Sequence, residues 1–168
     1  IYIYIYILTF VILHLIMLFL ILYLSLTSDA NCDVMLSQGK PASQSSDYLS
    51  FVASYAVDGN LGQSLNKDKC SHTNKDSQPW WMVDLQGSYT ITSVTIFNRN
   101  SFVSNRLVGA IVEVLDSNGV VVSRCGKIKT DDSVHILRCK KRIGSKVRIR
   151  MARPEYLTLC EVQVYGLP

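Results

Sequence analysis

Polar and apolar residues alternate strictly in the stretch Lys146-Val147-Arg148-Ile149-Arg150-Met151. Successive side chains of a β-strand point to opposite faces, so this alternation predicts a strand with one buried face and one solvated face. The same two-residue period returns near the C-terminus in Glu161-Val162-Gln163-Val164. Both stretches therefore favour a sheet that packs against a core on one side.

Further strand candidates lie on the N-terminal side of this stretch. Residues 91–98 and 109–115 are rich in β-branched side chains, and the turn at 116–119 leads into Val120-Val121-Val122. No sustained helical period occurs after residue 31. Many short strands separated by turns indicate an all-β fold, a sandwich or a barrel. Residues 31–168 contain no repeat or low-complexity linker, and we expect them to form one domain.

The first part of the chain has a different composition. Residues 1–26 contain no Asp, Glu, Lys or Arg. A run of this length either spans a bilayer, which takes about 20 apolar residues, or serves as a secretory signal. Ser28 and Ala30 place small residues three and one before the bond that follows Ala30, which favours signal-peptidase cleavage there. We therefore expect residues 1–30 to be a signal peptide, with a retained membrane anchor as the alternative.

The start of the chain has a repetitive pattern. The segment Ile1-Tyr2-Ile3-Tyr4-Ile5-Tyr6 is what an alternating AT tract encodes in frame. We interpret residues 1–16 as translated upstream sequence, with synthesis starting at Met17.

The five cysteines are consistent with export. None of them has the close spacing of a zinc or redox motif, so disulfides are the simpler interpretation. The residues alone do not give the connectivity. Because five is an odd number, one cysteine lies outside the intrachain pairs, and Cys32 is the candidate; it either links two chains or remains a thiol.

One spaced motif carries the functional signal. His72 is followed after twenty-six residues by Arg99, Asn100 and Ser101, and after four more residues by Arg106. Arg presents a rigid fork of donors to hydroxyl and ring oxygens, and a neutral His nitrogen can accept from a hydroxyl. The motif lacks the paired carboxylates of glycoside hydrolysis. These side chains suit the recognition of a sugar, and the alternative is that each one makes ordinary local hydrogen bonds.

This motif resembles that of the F-type lectins, or fucolectins, in which an Asp stands where this chain has Ser101. The flanking segments 39–46, 56–60 and 157–162 resemble the same family, so the resemblance runs over residues 34–165. It implies an antiparallel, discoidin-like β-sandwich of the jelly-roll type, stabilised by disulfides that pair Cys70 with Cys160 and Cys125 with Cys139. It further implies a secreted lectin without enzymatic activity.

The resemblance also implies the sugar and the residues that bind it. His72, Arg99 and Arg106 take the role of binding terminal L-fucose. Many family members have adjacent cysteines where this chain has Phe102-Val103. An aromatic ring there can offer a platform to the C–H face of a sugar, although ordinary packing is an equally good interpretation of Phe102. Leu65 is the candidate for a pocket around the fucose methyl group.

A structural calcium ion is the expected cofactor. In similar proteins the loop that contains Asp58-Gly59-Asn60 folds around calcium, which prefers six to eight oxygen ligands. The implied ligands are the Asp58 and Glu161 carboxylates with the carbonyls of Tyr55, Asn60, Lys69 and Cys160. Lys69 stands where the family tends to have Ser. The alternative is that this segment is only a turn.

The expected partners follow from these roles. They are fucosylated glycans on microbial or self surfaces, as in innate immunity, and further copies of the chain in a homo-oligomer. Nucleic acid is not expected, and a membrane only if the N-terminal segment is retained. The alternative function is a discoidin-like adhesion module with a degenerate sugar site, which binds protein or anionic surfaces through its loops and the basic residues of segment 138–153. An enzyme has no supporting set of residues.

Overall fold

The computed structural model describes residue 7, residues 10–20 and residues 32–168. The chain divides into two compact units, Ile1–Cys32 and Asp33–Pro168. In the first unit, residues 10–20 form a helix (α1) with exposed side chains. None of the helices in the described part of the chain is both long enough and apolar enough to span a bilayer. The predicted cleavage site after Ala30 lies outside the described residues, and so do residues 1–6, 8 and 9 of the predicted upstream segment 1–16.

Most of the regular secondary structure of the second unit is β-strand. A short helix α2 (Leu65–Asp68) and two 3-10 helices (Ala53–Val57 and Ser104–Leu107) lie in its loops. The strands are Val34–Met35 (β1), Ala42–Gln44 (β2), Ser71–His72 (β3), Trp80–Phe97 (β4), Ile111–Leu115 (β5), Val121–Lys127 (β6), Val134–Arg150 (β7), Thr158–Leu159 (β8) and Glu161–Leu167 (β9).

Two long strands, β4 and β7, organise the sandwich. They are antiparallel along their lengths, from Trp80 opposite Arg150 to Phe97 opposite Val134, with register shifts in the middle. On one side of these shifts, β4 pairs with β2 while β7 pairs with β5, which pairs with β6. On the other side, β4 pairs with β9, which pairs with β1. Irregularities of this kind bend a strand. One half of the β4–β7 pair therefore belongs to the layer with β2, β5 and β6, and the other half belongs to the layer with β9 and β1.

The core forms where the inward faces of these strands meet. Trp81, Val83 and Leu85 alternate with partly exposed residues along β4, and all three are fully buried. Residues 146–150 of β7 behave as their alternation predicts. Val147 and Ile149 are buried, whereas Arg148 and Arg150 are not. The prediction of an antiparallel β-sandwich is confirmed, although the predicted strand at 91–98 is the second half of the longer β4.

Two disulfides stabilise the second unit, as the family resemblance implies. They join Cys70 to Cys160 and Cys125 to Cys139. The first closes a segment with a sequence separation of 90 residues, whereas the second spans 14. In the chain-entropy model such loops contribute about 4–5 and about 3 kcal/mol. Cys32 is exposed and belongs to neither pair.

The layer assignment predicts how two isoleucines of β7 respond to truncation. Ile149 is 0% exposed and Ile136 is 70% exposed. Ile149→Ala should lower the free energy of unfolding by about 2–5 kcal/mol because it leaves a cavity in the core. The matched change Ile136→Ala should alter it by less than about 0.5 kcal/mol. Urea unfolding followed by tryptophan fluorescence measures both, and equal losses would contradict this assignment of buried and exposed faces.

Candidate functional site

His72 is fixed by the small two-stranded sheet that β3 forms with β8. It lies opposite Thr158, and its carbonyl accepts a hydrogen bond from the backbone N–H of Tyr48 at 2.9 Å. The next residue, Thr73, donates its backbone N–H to the carbonyl of Leu157, also at 2.9 Å. The Cys70–Cys160 disulfide holds the same two segments together. The imidazole is therefore positioned by the backbone on both sides of it, and His72 is only 4% exposed.

The surroundings of His72 keep its imidazole neutral. Its Nδ1 lies 2.6 Å from the carbonyl oxygen of Thr73. A carbonyl can only accept, so Nδ1 carries the proton and Nε2 of the neutral ring keeps a lone pair. Burial lowers the pKa of His72 below its ordinary 6.5; the hydrogen bond to Thr73 opposes this, and the charges of Arg99 and Arg106 add to the lowering. At neutral pH the ring offers an acceptor.

The loop that follows β4 carries the two arginines of the motif. Asn98 is buried, and its Nδ2 donates to the carbonyl of Ser104 at 3.0 Å, which closes the loop. The backbone N–H of Asn100 donates to the carbonyl of Gln63 at 2.9 Å, which fastens the loop to the segment before α2. Leu107, at the end of the second 3-10 helix, is buried in the core. These contacts fix the backbone of the loop that carries Arg99 and Arg106.

Arg99 and Arg106 come close enough to affect each other and His72. Burial, together with the charge of Arg106, lowers the pKa of Arg99. The guanidinium of Arg106 lies over the ring of Tyr156, with its Cζ 4.9 Å from the ring centroid. The structure therefore brings together the three side chains that the sequence motif predicts. Because two cations face one neutral acceptor, the site is electropositive and rich in hydrogen-bond donors.

Aromatic side chains that the sequence did not indicate surround His72. The ring centroids of Tyr48, Tyr156 and Phe51 lie 4.9, 5.5 and 6.3 Å from that of His72. Tyr156 contacts both His72 and Arg106. No motif links these residues to His72. Tyr48 and Phe51 come from a distant segment that forms backbone hydrogen bonds with His72, and Tyr156 comes close through the pairing of β3 with β8.

A carboxylate that the sequence did not indicate lies beside Arg106. Glu155 Oε1 is 3.8 Å from Arg106 Nε, and Glu155 Oε2 is 3.7 Å from Arg153 Nη2. Arg153 in turn donates to the carbonyl of Arg106 at 3.2 Å. This chain has Ser101 at the position where the motif of similar proteins has an Asp. Glu155 provides an acidic neighbour for Arg106 from another segment.

Phe102 and Leu65 occupy different environments. Phe102 is 95% exposed, so the interpretation of its ring as ordinary packing is wrong. Leu65 is half-buried at the start of α2, two residues after Gln63, whose carbonyl accepts from Asn100. Both residues therefore lie on the two loops that this hydrogen bond joins. The described contacts do not bring Leu65 against His72.

Glu161 is the centre of the second predicted group. Its carboxylate is fully buried, and Oε2 accepts from the backbone N–H of Gly59 at 3.3 Å. Its Oε1 is buried without a hydrogen-bond partner. Burial, the main cause, and the charge of Asp58 raise the pKa of Glu161 to about 7, although hydrogen bonds from Gly59 and Asp58 oppose them. A buried oxygen that lacks a donor and lies near a second carboxylate fits a cation.

The other predicted ligands lie on segments that contact one another. Lys69 Nζ lies 5.7 Å from the ring centroid of Tyr55, and the backbone of Lys69 is left-handed, with φ 56°. Lys69 precedes Cys70, whose disulfide joins it to Cys160 beside Glu161. Asn60 Nδ2 donates to the carbonyl of Asp68 at 3.3 Å. Within the described ranges, no three His, Cys, Asp or Glu side chains are grouped to hold a metal, so an ion here would need carbonyl ligands.

The comparison with protein families identifies the class of this domain. The model of the NedA-like, galactose-binding domain matches residues 55–149. Among solved structures, a fucose binding module of Streptococcus pneumoniae has a TM-score of 0.76 and 27% sequence identity over 80% of this chain and 96% of that one. The chain is therefore a β-sandwich domain of the galactose-binding type.

Curated relatives narrow this class to one family. Fucolectin-5 of Anguilla japonica is 39% identical over 119 residues, which cover 67% of this chain and 63% of that protein. Fucolectin of Anguilla anguilla is 38% identical over 118 residues, which cover 67% of this chain and 75% of that protein. The chain spans slightly less than two thirds of the first of these. It belongs to the fucolectin, or F-type lectin, family, and this confirms the prediction that it is not an enzyme.

The environment of His72 predicts a titration that NMR can follow. The imidazole signals of His72 should give a pKa below 6.5, and Arg99→Gln should move it upward because one repelling charge is removed. Arg138→Gln, an exposed change on β7, is the control and should leave it unchanged. Because the pKa of His72 is lower in the folded state, the unfolded chain binds the proton more tightly. The free energy of unfolding should therefore decrease as the pH falls below 6.5. A measured pKa above 6.5 would contradict this description of the site.

Proposed function

We propose that this chain is a secreted lectin that binds terminal L-fucose on glycans through His72, Arg99 and Arg106. The convergence of these three side chains, in a member of the fucolectin family, carries the proposal. The two disulfides support secretion, because such bonds persist mainly in oxidising, extracellular compartments. A protein of Streptococcus pneumoniae with the same fold is named as a fucose binding module, which also supports the proposal.

The chemistry of the site matches a sugar with several hydroxyl groups. Nε2 of neutral His72 accepts from one hydroxyl, while the forks of Arg99 and Arg106 donate to neighbouring hydroxyl and ring oxygens. Arg106 is held against Tyr156 and beside Glu155, so its donors lose little freedom on binding. The exposed ring of Phe102 is available to the C–H face of the sugar or to the next residue of a glycan.

Affinity for a single monosaccharide at one such site is expected to be weak. Several linked sites gain avidity from a high effective concentration without any new contact. We propose that the protein reaches useful avidity on glycan-rich surfaces as a homo-oligomer. Microbial and self surfaces that display terminal fucose are the targets of this proposal, which gives the protein a role in innate recognition.

A structural calcium ion completes the proposal. The buried Glu161, its neighbour Asp58 and the carbonyls of Tyr55, Asn60, Lys69 and Cys160 would hold it. The support is the Glu161 oxygen without a donor and the second carboxylate beside it, a donor set that suits a hard cation. When bound, calcium would supply the positive charge that offsets these two carboxylates. It would thereby stabilise the loop that precedes His72 and make no contact with the sugar.

The sugar site is tested by binding to immobilised L-fucose. The oxidised protein should be retained and should be released by free L-fucose but not by glucose. Arg99→Ala should weaken binding by about ten- to a hundredfold, because it removes charged hydrogen bonds of about 1.5–3 kcal/mol. Arg106→Ala should have a similar effect, and it also removes the contact with Tyr156.

The control for these variants is Arg138→Ala, which removes an exposed arginine of β7 outside the site. It should bind fucose as well as the unaltered protein does. If folded protein passes through the column without retention, the fucose proposal fails and an adhesion module with a degenerate sugar site becomes the better interpretation.

The calcium site is tested by thermal unfolding with calcium and with a chelator. Calcium should stabilise the protein by about 2.7 kcal/mol when its free concentration is a hundred times the dissociation constant. Glu161→Gln should abolish this increase, because it removes a buried charged ligand. Asp131→Asn, which neutralises an exposed carboxylate elsewhere, should keep it. A melting temperature that is indifferent to calcium in the unaltered protein would refute the site.

A further inference from the structure

A second cluster of charged side chains lies on the outer face of the β-sandwich. Glu113 stands on β5 between Val112 and Val114, which face the core, and its own side chain therefore points to the opposite face. Although it lies on that outer face, Glu113 is fully buried. The side chains of Arg124, Arg148 and Arg150, from β6 and β7, cover it.

The hydrogen bonds of this cluster saturate the carboxylate but not the arginines. Oε1 accepts from Arg124 Nε and Arg150 Nη2, and Oε2 accepts from Arg150 Nε and from Nε and Nη2 of Arg148, at distances of 2.7–3.2 Å. Five donors thus share a carboxylate that has about four lone-pair positions. Each guanidinium has five N–H groups, and at most two of them are engaged with Glu113. Donors therefore remain on all three arginines.

The charge of the cluster is also unbalanced. Hydrogen bonds and charges from Arg150 and Arg148 outweigh the effect of burial and lower the pKa of Glu113, so it is ionised at neutral pH. Three guanidiniums face this one carboxylate, which leaves two positive charges without an acidic neighbour in the cluster. The carboxylate orients the guanidiniums, and their side chains are 63% (Arg124), 29% (Arg148) and 23% (Arg150) exposed.

These arginines line a groove of about 420 Å³, which they share with Trp80 and Gln78. Trp80 is partly exposed, whereas the neighbouring Trp81 is buried and donates its indole N–H to the carbonyl of Ala53 at 2.9 Å. The groove thus combines preorganised, positively charged donors, an amide and an accessible indole ring. It is formed by β4, β5, β6 and β7, whereas the fucose-site residues come from β3 and the loop after β4.

We propose that this groove is a second binding site, which takes the sulfate group of a sulfated saccharide. The free N–H groups of the three arginines would donate to the sulfate oxygens, and the indole of Trp80 would contact the sugar ring. Planar forks of donors suit tetrahedral oxyanions, and the anion would balance the surplus positive charge. An aromatic ring beside the donors favours a saccharide that carries the oxyanion over the free ion.

The site is tested by NMR titration of the oxidised full chain with a sulfated disaccharide that contains no fucose. The chain has two tryptophans and therefore two indole N–H signals, which the variant Trp80→Phe assigns. The Trp80 signal should move on titration, and the signal of buried Trp81 should stay. The desulfated disaccharide should leave both in place. Free L-fucose should not reverse the shift, so this result stands or falls independently of the fucose site.

Two variants separate the groove from general electrostatic attraction. Arg124→Gln should weaken binding of the sulfated disaccharide by about five- to twentyfold, because it removes a charged donor at the exposed edge of the cluster. Arg142→Gln removes the same charge from an exposed position on β7 outside the groove and should leave binding unchanged. Arg148→Lys keeps the charge but loses the fork, and in a variant that still folds it should weaken binding as well.

Three outcomes would overturn the proposal. The first is a Trp80 signal that does not respond to the sulfated disaccharide. The second is an equal loss of binding in Arg124→Gln and Arg142→Gln, which would show attraction to the net charge alone. The third is competition by inorganic sulfate at the same concentration as the disaccharide, which would show that the groove recognises a free oxyanion and not a saccharide.

Discussion

The disulfide between Cys70 and Cys160 is the constraint on which the candidate sugar site and the candidate calcium site both depend. It fastens the segment that enters β3 to the start of β9, where Glu161 follows directly. Two residues beyond Cys70, His72 pairs with Thr158, so the same link brings the imidazole to Tyr156 and thus to Arg106. Without this crosslink, two segments that are far apart in the sequence would be held together only by short pairings, namely the two-residue strands β3 and β8 and the hydrogen bonds between Thr73 and Leu157.

The layers of the fold are predictable from the sequence because they follow from local periods. The alternation at residues 146–151 is the alternation of burial in β7, and in β9 it holds for Val162, Gln163 and Val164, whereas the polar Glu161 is buried against its predicted exposure. The length of β4 is not predictable in this way. Its two halves contribute to different layers, and the irregularity between Asp84 and Tyr89 contains Gly87, a residue that is as typical of a turn between two strands as of a bulge within one. A strand that changes layers therefore looks like two separate strands in the sequence.

In the candidate sugar site, too, some residues are predictable from the sequence and others are not. The spacing of His72, Arg99 and Arg106 predicts the set of side chains that the fold brings together, because a resemblance to a family carries three-dimensional information. The residues that support them, Glu155 and Tyr156, carry no such information in this chain. They contact Arg106 from the segment that precedes β8, a contact between distant segments that no local pattern encodes. Glu155 shows how an acidic neighbour can come from another segment when the motif itself has Ser101.

Two buried glutamates show how the charges around a group can either reverse or reinforce the effect of its burial. Glu113 and Glu161 are both 0% exposed, and burial alone would raise the pKa of both. Arg148 and Arg150 reverse the effect at Glu113, whose pKa is lowered, whereas Asp58 reinforces it at Glu161, whose pKa rises to about 7. The first cluster has spare donors and excess positive charge, and the second has a spare acceptor and excess negative charge. The same residue type in the same degree of burial therefore supports the proposed cation site at one end of β9 and the proposed anion site on the outer face of β5.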